Sequence, residues 1–466
     1  MPFDALTTSQ PLNIAVVGTG IAGMSAAWLL SQTHRVTVYE QDSRMGGHTN
    51  TVEVAGPDGP IPVDTGFIVY NEHNYPNLVA LFRHLGVPTK PSEMSFAASI
   101  DDGDLEYAGT DLAGLFAQKR NLLRPRFWRM LRDILRFYRK GTALLARPGD
   151  DAVTLGDYLD SERYSHAFVY NHLLPMAAAV WSTAAAEMRS HPAKAFVQFC
   201  SNHGLMQMAN RPQWRTVDGG SRAYLQRLTA SYADHLRINS GVKSVRREGV
   251  YVRVEDSTGN RAHYDHVVIA AHADQALAML DDPSADETAL LGAFRYTRNL
   301  AVLHQDPGLM PKRKAVWSSW NYLSRTGCEG ASQVCVTYWM NRLQSLDARV
   351  PLFVTLNPFR PPRPETVLRT FQYDHPCYSV ESGRAQQRLW DLQGVRNTWY
   401  CGSYFGSGFH EDALQAGLAV AEALGGVRRP WSVAEESGRI HLPGRPMPKP
   451  ASPLDVAGPP LAGVVS

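Results

Sequence analysis

Gly18, Gly20 and Gly23, with a carboxylate at Glu40, have the types and spacing to hold a dinucleotide. The first glycine permits a tight turn, the second lets main chain approach a pyrophosphate, and the third lets a helix pack on a strand. Ile21 and Ala22 open that helix. Its first N–H groups have no partner inside the helix, and its positive dipole end suits phosphate. Glu40 stands 22 residues past Gly18, where a carboxylate accepts from ribose hydroxyls, and Gln41 follows it. Such a motif alone does not separate a nicotinamide from a flavin dinucleotide. A second glycine pair comes directly behind the acid, in Arg44-Met45-Gly46-Gly47-His48-Thr49.

The elements that position these residues are legible nearby. An apolar run at 14–17 reads as a strand, the Ala/Leu-rich stretch to Leu30 as a helix, and 36–39 as a second strand. Residues 61–69 read as a strand with a glycine break. Strand patterning returns near 215, with a helix at 223–236, a hairpin at 242–247 and 250–255, and a buried strand at 264–271. A short strand at 398–402 and an amphipathic helix at 413–424 close the pattern. The order predicts an α/β protein. A discontinuous βαβ-type cofactor domain would comprise residues 13–72, 215–275 and 395–427. A mixed substrate domain of antiparallel sheet and helices (73–214 and 276–394) is inserted in it. Seven prolines between Pro443 and Pro460 mark a tail, 428–466, with little regular structure expected.

Bulk properties exclude several functions. Across 466 residues the hydrophobic content of 44% and charged content of 19% describe a globular chain, and a net charge of +2 does not suggest nucleic acid. The five cysteines are odd in number and widely spaced, without zinc spacing, so reduced thiols and a cytoplasmic setting are expected. The first basic residue is Arg35, so no secretory leader is expected, and no apolar run reaches the ~20 residues that span a bilayer. His263 and His266 flank Asp265 at a spacing that points them to opposite faces of a strand, so no metal site is expected. Ser221 lacks the G-x-S-x-G context of a hydrolase nucleophile.

From about residue 13 to 425 the chain resembles the flavin-containing amine oxidase and phytoene desaturase superfamily. It is most similar to a bacterial subgroup of NAD/FAD-binding proteins. The resemblance is carried by the second glycine pair with Thr49-Asn50-Thr51-Val52, by Val63-Asp64-Thr65-Gly66-Phe67-Ile68-Val69-Tyr70-Asn71, by 317–322, and by Gly408-Phe409-His410-Glu411-Asp412. It implies non-covalent FAD, with Arg44, Gly46 and Gly47 along the pyrophosphate and Gly66, Phe67 and Ile68 running past the flavin ring. It implies that Val242 meets the adenine edge and that Ala270 and Ala271 end a strand leading to the cofactor. Gly402 with Ser403, and the helix near Ala413, match the C-terminal flavin motif, with His410 beside the pyrimidine. That histidine would tune the flavin, carry protons, or simply be held in place.

The sequence also departs from the family. His48 replaces the usual arginine after the glycine pair, and Ser403 and Tyr404 replace the usual acid after Gly402. Glu411 and Asp412 are the nearest acids, and one of them is expected to cap the helix. Asn299, beside Arg298, falls where amine-oxidising relatives carry a lysine under the flavin. Asn cannot act as that cation.

A second informative segment, 119–140, holds nine basic residues and one acid, Asp133, where average composition would give about two basic residues. Pro125 suits a helix start, and a basic aromatic helix is expected at 125–145. Phe127, Leu131, Ile134, Leu135 and Tyr138 repeat on one side, flanked by Arg129, Arg132, Arg136 and Arg139. Two uses stay open: a helix lying in the interface of a membrane's inner face, or a lid helix packed on its own domain.

The expected function is FAD-dependent oxidation, with a hydride passing from substrate to flavin N5. An acyl lipid or other apolar substrate suits the basic aromatic helix and the absent lysine, and a small amine is the alternative. A redox-neutral isomerase or a non-catalytic flavoprotein represents a different class. Trp317, Trp320, Tyr322, Tyr338 and Trp339 are candidates to line an apolar channel or to pack in the core. No catalytic residue is assigned, and no nucleic-acid or metal partner is expected.

Overall fold

A computed structural model describes residues 10–147, 152–181, 187–207, 211–326 and 332–443. Asn13–Val17 (β1) and Arg35–Tyr39 (β2) flank the helix Ile21–Leu30 (α1), every residue of which is buried. β1 is the middle strand of a parallel five-stranded sheet. Its other members are Leu236–Arg237 beyond β2, and His266–Ile269 and Thr398–Tyr400 on the far side. The sheet is thus assembled from stretches hundreds of residues apart. It is buried on both faces, which accounts for the unbroken apolar runs in β1 and His266–Ile269. Ile14, Val16, Met24, Leu30, Val38 and Val268 join Leu414 and Leu418 in one core.

A seven-stranded mixed sheet forms the second layer system. Arg295–His304 (β3) pairs antiparallel with Val367–Cys377 (β4) at one edge, with Thr297 opposite His375 and Asn299 opposite Tyr373. Trp320–Thr326 runs parallel to Phe96–Ile100 near the other edge. A separate core fills this half, from Phe127, Phe137, Phe168 and Phe196 to Leu303 and Val354. The fold is therefore α/β, with a parallel Rossmann-like sheet and a mixed second sheet.

Pro125–Leu145 (α2) begins at the expected proline. The hairpin forms from Val242–Glu248 and Tyr251–Asp256. The strand expected over 61–69 ends at Asp64. The helix expected at 223–236 stops at Thr229, because the chain must turn into the edge strand at Leu236. His263 and His266 lie on two different strands. Of the proline-rich tail, 444–466 lie outside the described residues. Residues 428–443 pack back on the molecule: Arg429 is buried against Glu422 and Asn77, and Ile440 joins the first core. Among the described residues no helix is long and apolar enough to cross a membrane.

Candidate functional site

The turn between β1 and α1 opens a cavity of about 560 Å³ that continues into the second half of the molecule. Gly18 has φ +99°, and a Cβ there would lie 2.8 Å from the Ala270 carbonyl oxygen, so only glycine fits. A Cβ on Gly23 would strike the Gly18 carbonyl at 2.0 Å; this glycine packs the helix on the turn and does not line the cavity. Gly20 faces open space, and no side chain caps α1. The free amides of that buried helix start need an acceptor from whatever fills the cavity.

Glu40 is buried and joins the two glycine loops. Its Oε2 accepts from the Thr19 amide at 3.0 Å and from the Thr19 hydroxyl, which in turn accepts from the Gly46 amide at 2.9 Å. Oε1 accepts from the Asp42 amide at 2.9 Å. Arg44 donates to the Gly47 carbonyl at 2.8 Å and so braces the second loop. Ile21, Ala22, Gln41, His48, Gly66, Phe67, Ile68, Val242, Ala270, Gly402, Ser403, His410 and Ala413 line the same cavity, with Gly18, Gly20, Glu40, Arg44, Gly46 and Gly47. An uncapped helix start, a ribose-type carboxylate and a braced glycine pair are suited to a dinucleotide, so the residues present fit FAD.

Three further expected site residues stand outside the cavity. Thr49 hydrogen-bonds to His410 Nε2 at 3.1 Å and to the Tyr224 hydroxyl. Glu411 turns away and accepts from the amides of Asn77 and Leu78, both at 3.0 Å, at the start of the helix Pro76–His84. Its carboxylate satisfies donors that burial would otherwise leave unpaired. Asp412 caps its own helix, His410–Gly425 (α3), through the Phe409 amide at 2.8 Å, and pairs with Arg439 at 3.1 Å.

The cavity wall is rich in imidazoles held neutral. Burial pushes His410 down to about 3, and the ring stacks on Phe67 at 3.8 Å. A neutral, doubly hydrogen-bonded ring suits positioning rather than carrying a positive charge. Burial, with His375 nearby, holds His48 well below the usual range, so it does not supply the cationic charge of an arginine. It stacks on Tyr373 at 5.0 Å.

His375 was not singled out by the sequence, and its orientation is determined by a chain of amides. The Leu300 N–H donates to Asn357 Oδ1 at 2.9 Å, so Asn357 Nδ2 donates to Asn299 Oδ1 at 2.6 Å. Asn299 Nδ2 then donates to the Thr297 carbonyl at 3.0 Å and to His375 Nδ1 at 2.8 Å. With Nδ1 accepting, the proton of the neutral ring is on Nε2. The ring lines the cavity, and burial lowers its pKa to about 4. Asn299 itself is fully buried and does not line the cavity. Thr19 and Gln372 to Pro376 were also missed; the second group depends on β4 pairing with β3, far apart in sequence.

Beyond Phe409 the cavity becomes apolar. Phe199 stacks on Phe409 at 4.6 Å and meets Trp181, tilted, at 4.5 Å, and Met176, Val180, Leu205, Tyr138, Trp320, Tyr338 and Leu356 line the cavity with them, as do His172 and His203. Trp320 and Tyr338 therefore meet the channel expectation, whereas Trp317, Tyr322 and Trp339 do not line it. Arg211, close enough to Tyr138 to act on its ionisation, is the charged side chain of this arm. Among the described residues no group of three His, Cys, Asp or Glu side chains could hold a metal ion.

The fold and this cavity are suited to a dinucleotide. Residues 21–425 match the flavin-containing amine oxidoreductase family, and the chain belongs to it. AofH of Mycobacterium tuberculosis, a flavin-containing monoamine oxidase by name, is 29% identical over 295 residues, 61% of this chain. The match spans 62% of that relative's length. An L-amino-acid oxidase of Bungarus fasciatus is 51% identical over 45 residues, 9% of each chain. Among solved structures, a fatty acid isomerase from P. acnes that produces CLA superposes with TM-score 0.64 at 16% identity, covering 89% of this chain and 98% of its own. Putrescine oxidase bound to putrescine superposes with TM-score 0.61 at 14% identity, covering 88% and 98%. These two likenesses establish the fold.

Proposed function

We propose that the protein is an FAD-dependent oxidoreductase that dehydrogenates an apolar substrate with an anionic end, of the acyl-lipid class. The observation that carries this reading is the apolar and aromatic lining given by Tyr138, Met176, Val180, Trp181, Phe199, Leu205, Trp320 and Tyr338, beside the neutral rings of His172 and His203 and the exposed Arg211. A cationic amine placed there would lack a counter-ion, which is costly in a desolvated site. An acyl chain would bury its methylenes, and its acidic head would meet Arg211.

FAD, when bound, accepts the hydride and passes the electrons to oxygen or another acceptor. Glu40 would hold the ribose hydroxyls, the α1 start and the loop at Gly46 and Gly47 would hold the pyrophosphate, and α3 would direct its positive end at the ring. Non-covalent attachment is supported by the absence of any cavity-lining cysteine among the described residues. His375 would offer its Nε2–H to an acceptor at the wall it shares with His48. The aromatic arm would exclude water from the reacting bond.

A small amine is the second reading, favoured by two neutral imidazoles. His203 Nδ1 donates to the Phe199 carbonyl at 2.9 Å, and Tyr107, which donates to Asn171, accepts from His172 Nδ1 at 3.0 Å. Both Nε2 lone pairs are thereby left without a protein partner in rings that line the cavity, ready to accept from an N–H or O–H. Anaerobic mixing of the yellow protein with acyl phospholipid, and separately with amines, tests the two. Bleaching by lipid alone supports the proposal, bleaching by amine replaces it, and bleaching by neither points to isomerisation or binding.

A further inference from the structure

Helix α2 uses one face internally and leaves the other bare. Phe127, Met130, Ile134, Phe137, Gly141 and Leu144 are buried. Their spacing puts them on one side, so most of the apolar stripe packs on its own domain. The opposite side carries Trp128, Arg132, Leu135 and Arg139, at steps of four, three and four residues. Trp128 is 50% exposed and Leu135 54% exposed. Immediately before the helix, Leu122 and Leu123 are 48% and 86% exposed. They share a shallow groove with Pro125, Trp128, Arg129 and Arg132.

The cations of this region divide into two groups. Arg136, Lys140 and Arg147 pair with Glu162, and Arg120 and Arg124 pair with Asp104. Among the described residues Arg129, Arg132 and Arg139 have no ion-pair partner. Asp133, the one acid of the segment, is buried and accepts from the Ser165 amide at 3.0 Å, so it does not offset them. The bare face therefore combines large apolar side chains with uncompensated positive charge.

We propose that this face docks on an anionic lipid bilayer, with Leu122, Leu123, Trp128 and Leu135 entering the interface and Arg129, Arg132 and Arg139 meeting lipid phosphates. Exposed tryptophan and leucine gain by leaving water, and arginine stems lie along apolar surface while their heads reach phosphate. The complementary charge selects an anionic surface over a neutral one. Tyr138, on the same helix, lines the aromatic arm of the cavity, so the docked face and the substrate arm share one element. The docking deepens the acyl-lipid reading without requiring turnover.

Flavin-loaded protein would be sedimented with vesicles of phosphatidylglycerol and phosphatidylcholine, and with phosphatidylcholine alone. We expect binding to the first, weak binding to the second, and release at about 0.5 M salt. Arg129→Glu/Arg132→Glu/Arg139→Glu should reduce partitioning by on the order of 100-fold or more, with the flavin spectrum and melting temperature unchanged. Brominated lipid should quench fluorescence in the wild type more than in Trp128→Phe, a comparison that does not depend on the triple variant folding. Undiminished binding by the triple variant, no vesicle binding by the wild type, equal quenching, or retention by an acidic protein matrix in place of vesicles would each overturn the proposal. Vesicle binding without bleaching by acyl lipid would leave the docking intact and sink the substrate reading.

Discussion

Asn299 donates to His375 Nδ1 at 2.8 Å, from a buried position on β3 to a cavity-lining ring on β4. Asn299, expected where amine-oxidising relatives carry a lysine, is a neutral group that orients this ring. Its partner two residues along the neighbouring strand presents the polar atom instead.

Asn299→Asp reverses this arrangement. A carboxylate accepts, so the His375 proton moves to Nδ1 and the ring pKa rises from about 4. Nitrogen NMR of labelled histidine should show the tautomer change, and the pH profile of flavin reduction should gain a new acidic limb. His375→Gln should slow reduction by about 10²-fold if the ring donates during turnover. An unchanged spectrum and profile in Asn299→Asp would show that the pair is only structural.

Glu40→Gln removes the charge that accepts from Thr19 and Asp42 and that would hold the ribose. Losing charge-assisted hydrogen bonds of this kind costs about 1.5–3 kcal/mol, so FAD should dissociate on the order of 10- to 100-fold more readily. Fluorescence of released flavin measures this.

Glu411→Gln separates fold from cofactor. The carboxylate caps Pro76–His84 and lies outside the cavity, so the substitution should lower stability by about 1–3 kcal/mol while the flavin spectrum stays as in the wild type. A shifted spectrum with unchanged melting would return Glu411 to the site.

Acid should destabilise the protein. Burial depresses His172, His191, His304 and His375 to about 4 and His203 and His410 to about 3. Unfolded histidine titrates near 6.5, so between about 6.5 and 4 the unfolded chain binds more protons, and stability falls as pH falls through that window. Asp64, raised by burial to about 6, and Glu411 and Asp412, also raised by burial, work in the opposite sense, because their protonated forms are the more stable ones when folded. The six histidines outnumber these three carboxylates, so the melting temperature should drop from pH 7 to pH 5; a rise would refute this balance.

The phosphate-binding start was legible because its parts are close in sequence: Gly18, Gly20, Gly23 and Glu40 belong to one βαβ unit whose glycines have steric reasons to be where they are. His375 was not, because its meaning depends on pairing with a strand some 76 residues earlier. Glu411 was misplaced because sequence puts it at a helix start near the cavity, whereas its direction depends on Asn77, 334 residues away. On α2 the period was clear. The buried arc is rotated from the expected stripe, leaving Leu135 outside and taking Met130 and Gly141 inside, because packing against Val197 and Met206 favours a small residue at Gly141.

Anaerobic absorbance of the purified protein on addition of acyl phospholipid tests the central claim most directly. The account predicts a yellow protein whose flavin band is bleached by the lipid and left intact by small amines. A colourless protein that takes up no FAD, or a flavin bleached by amines and indifferent to lipid, would contradict it.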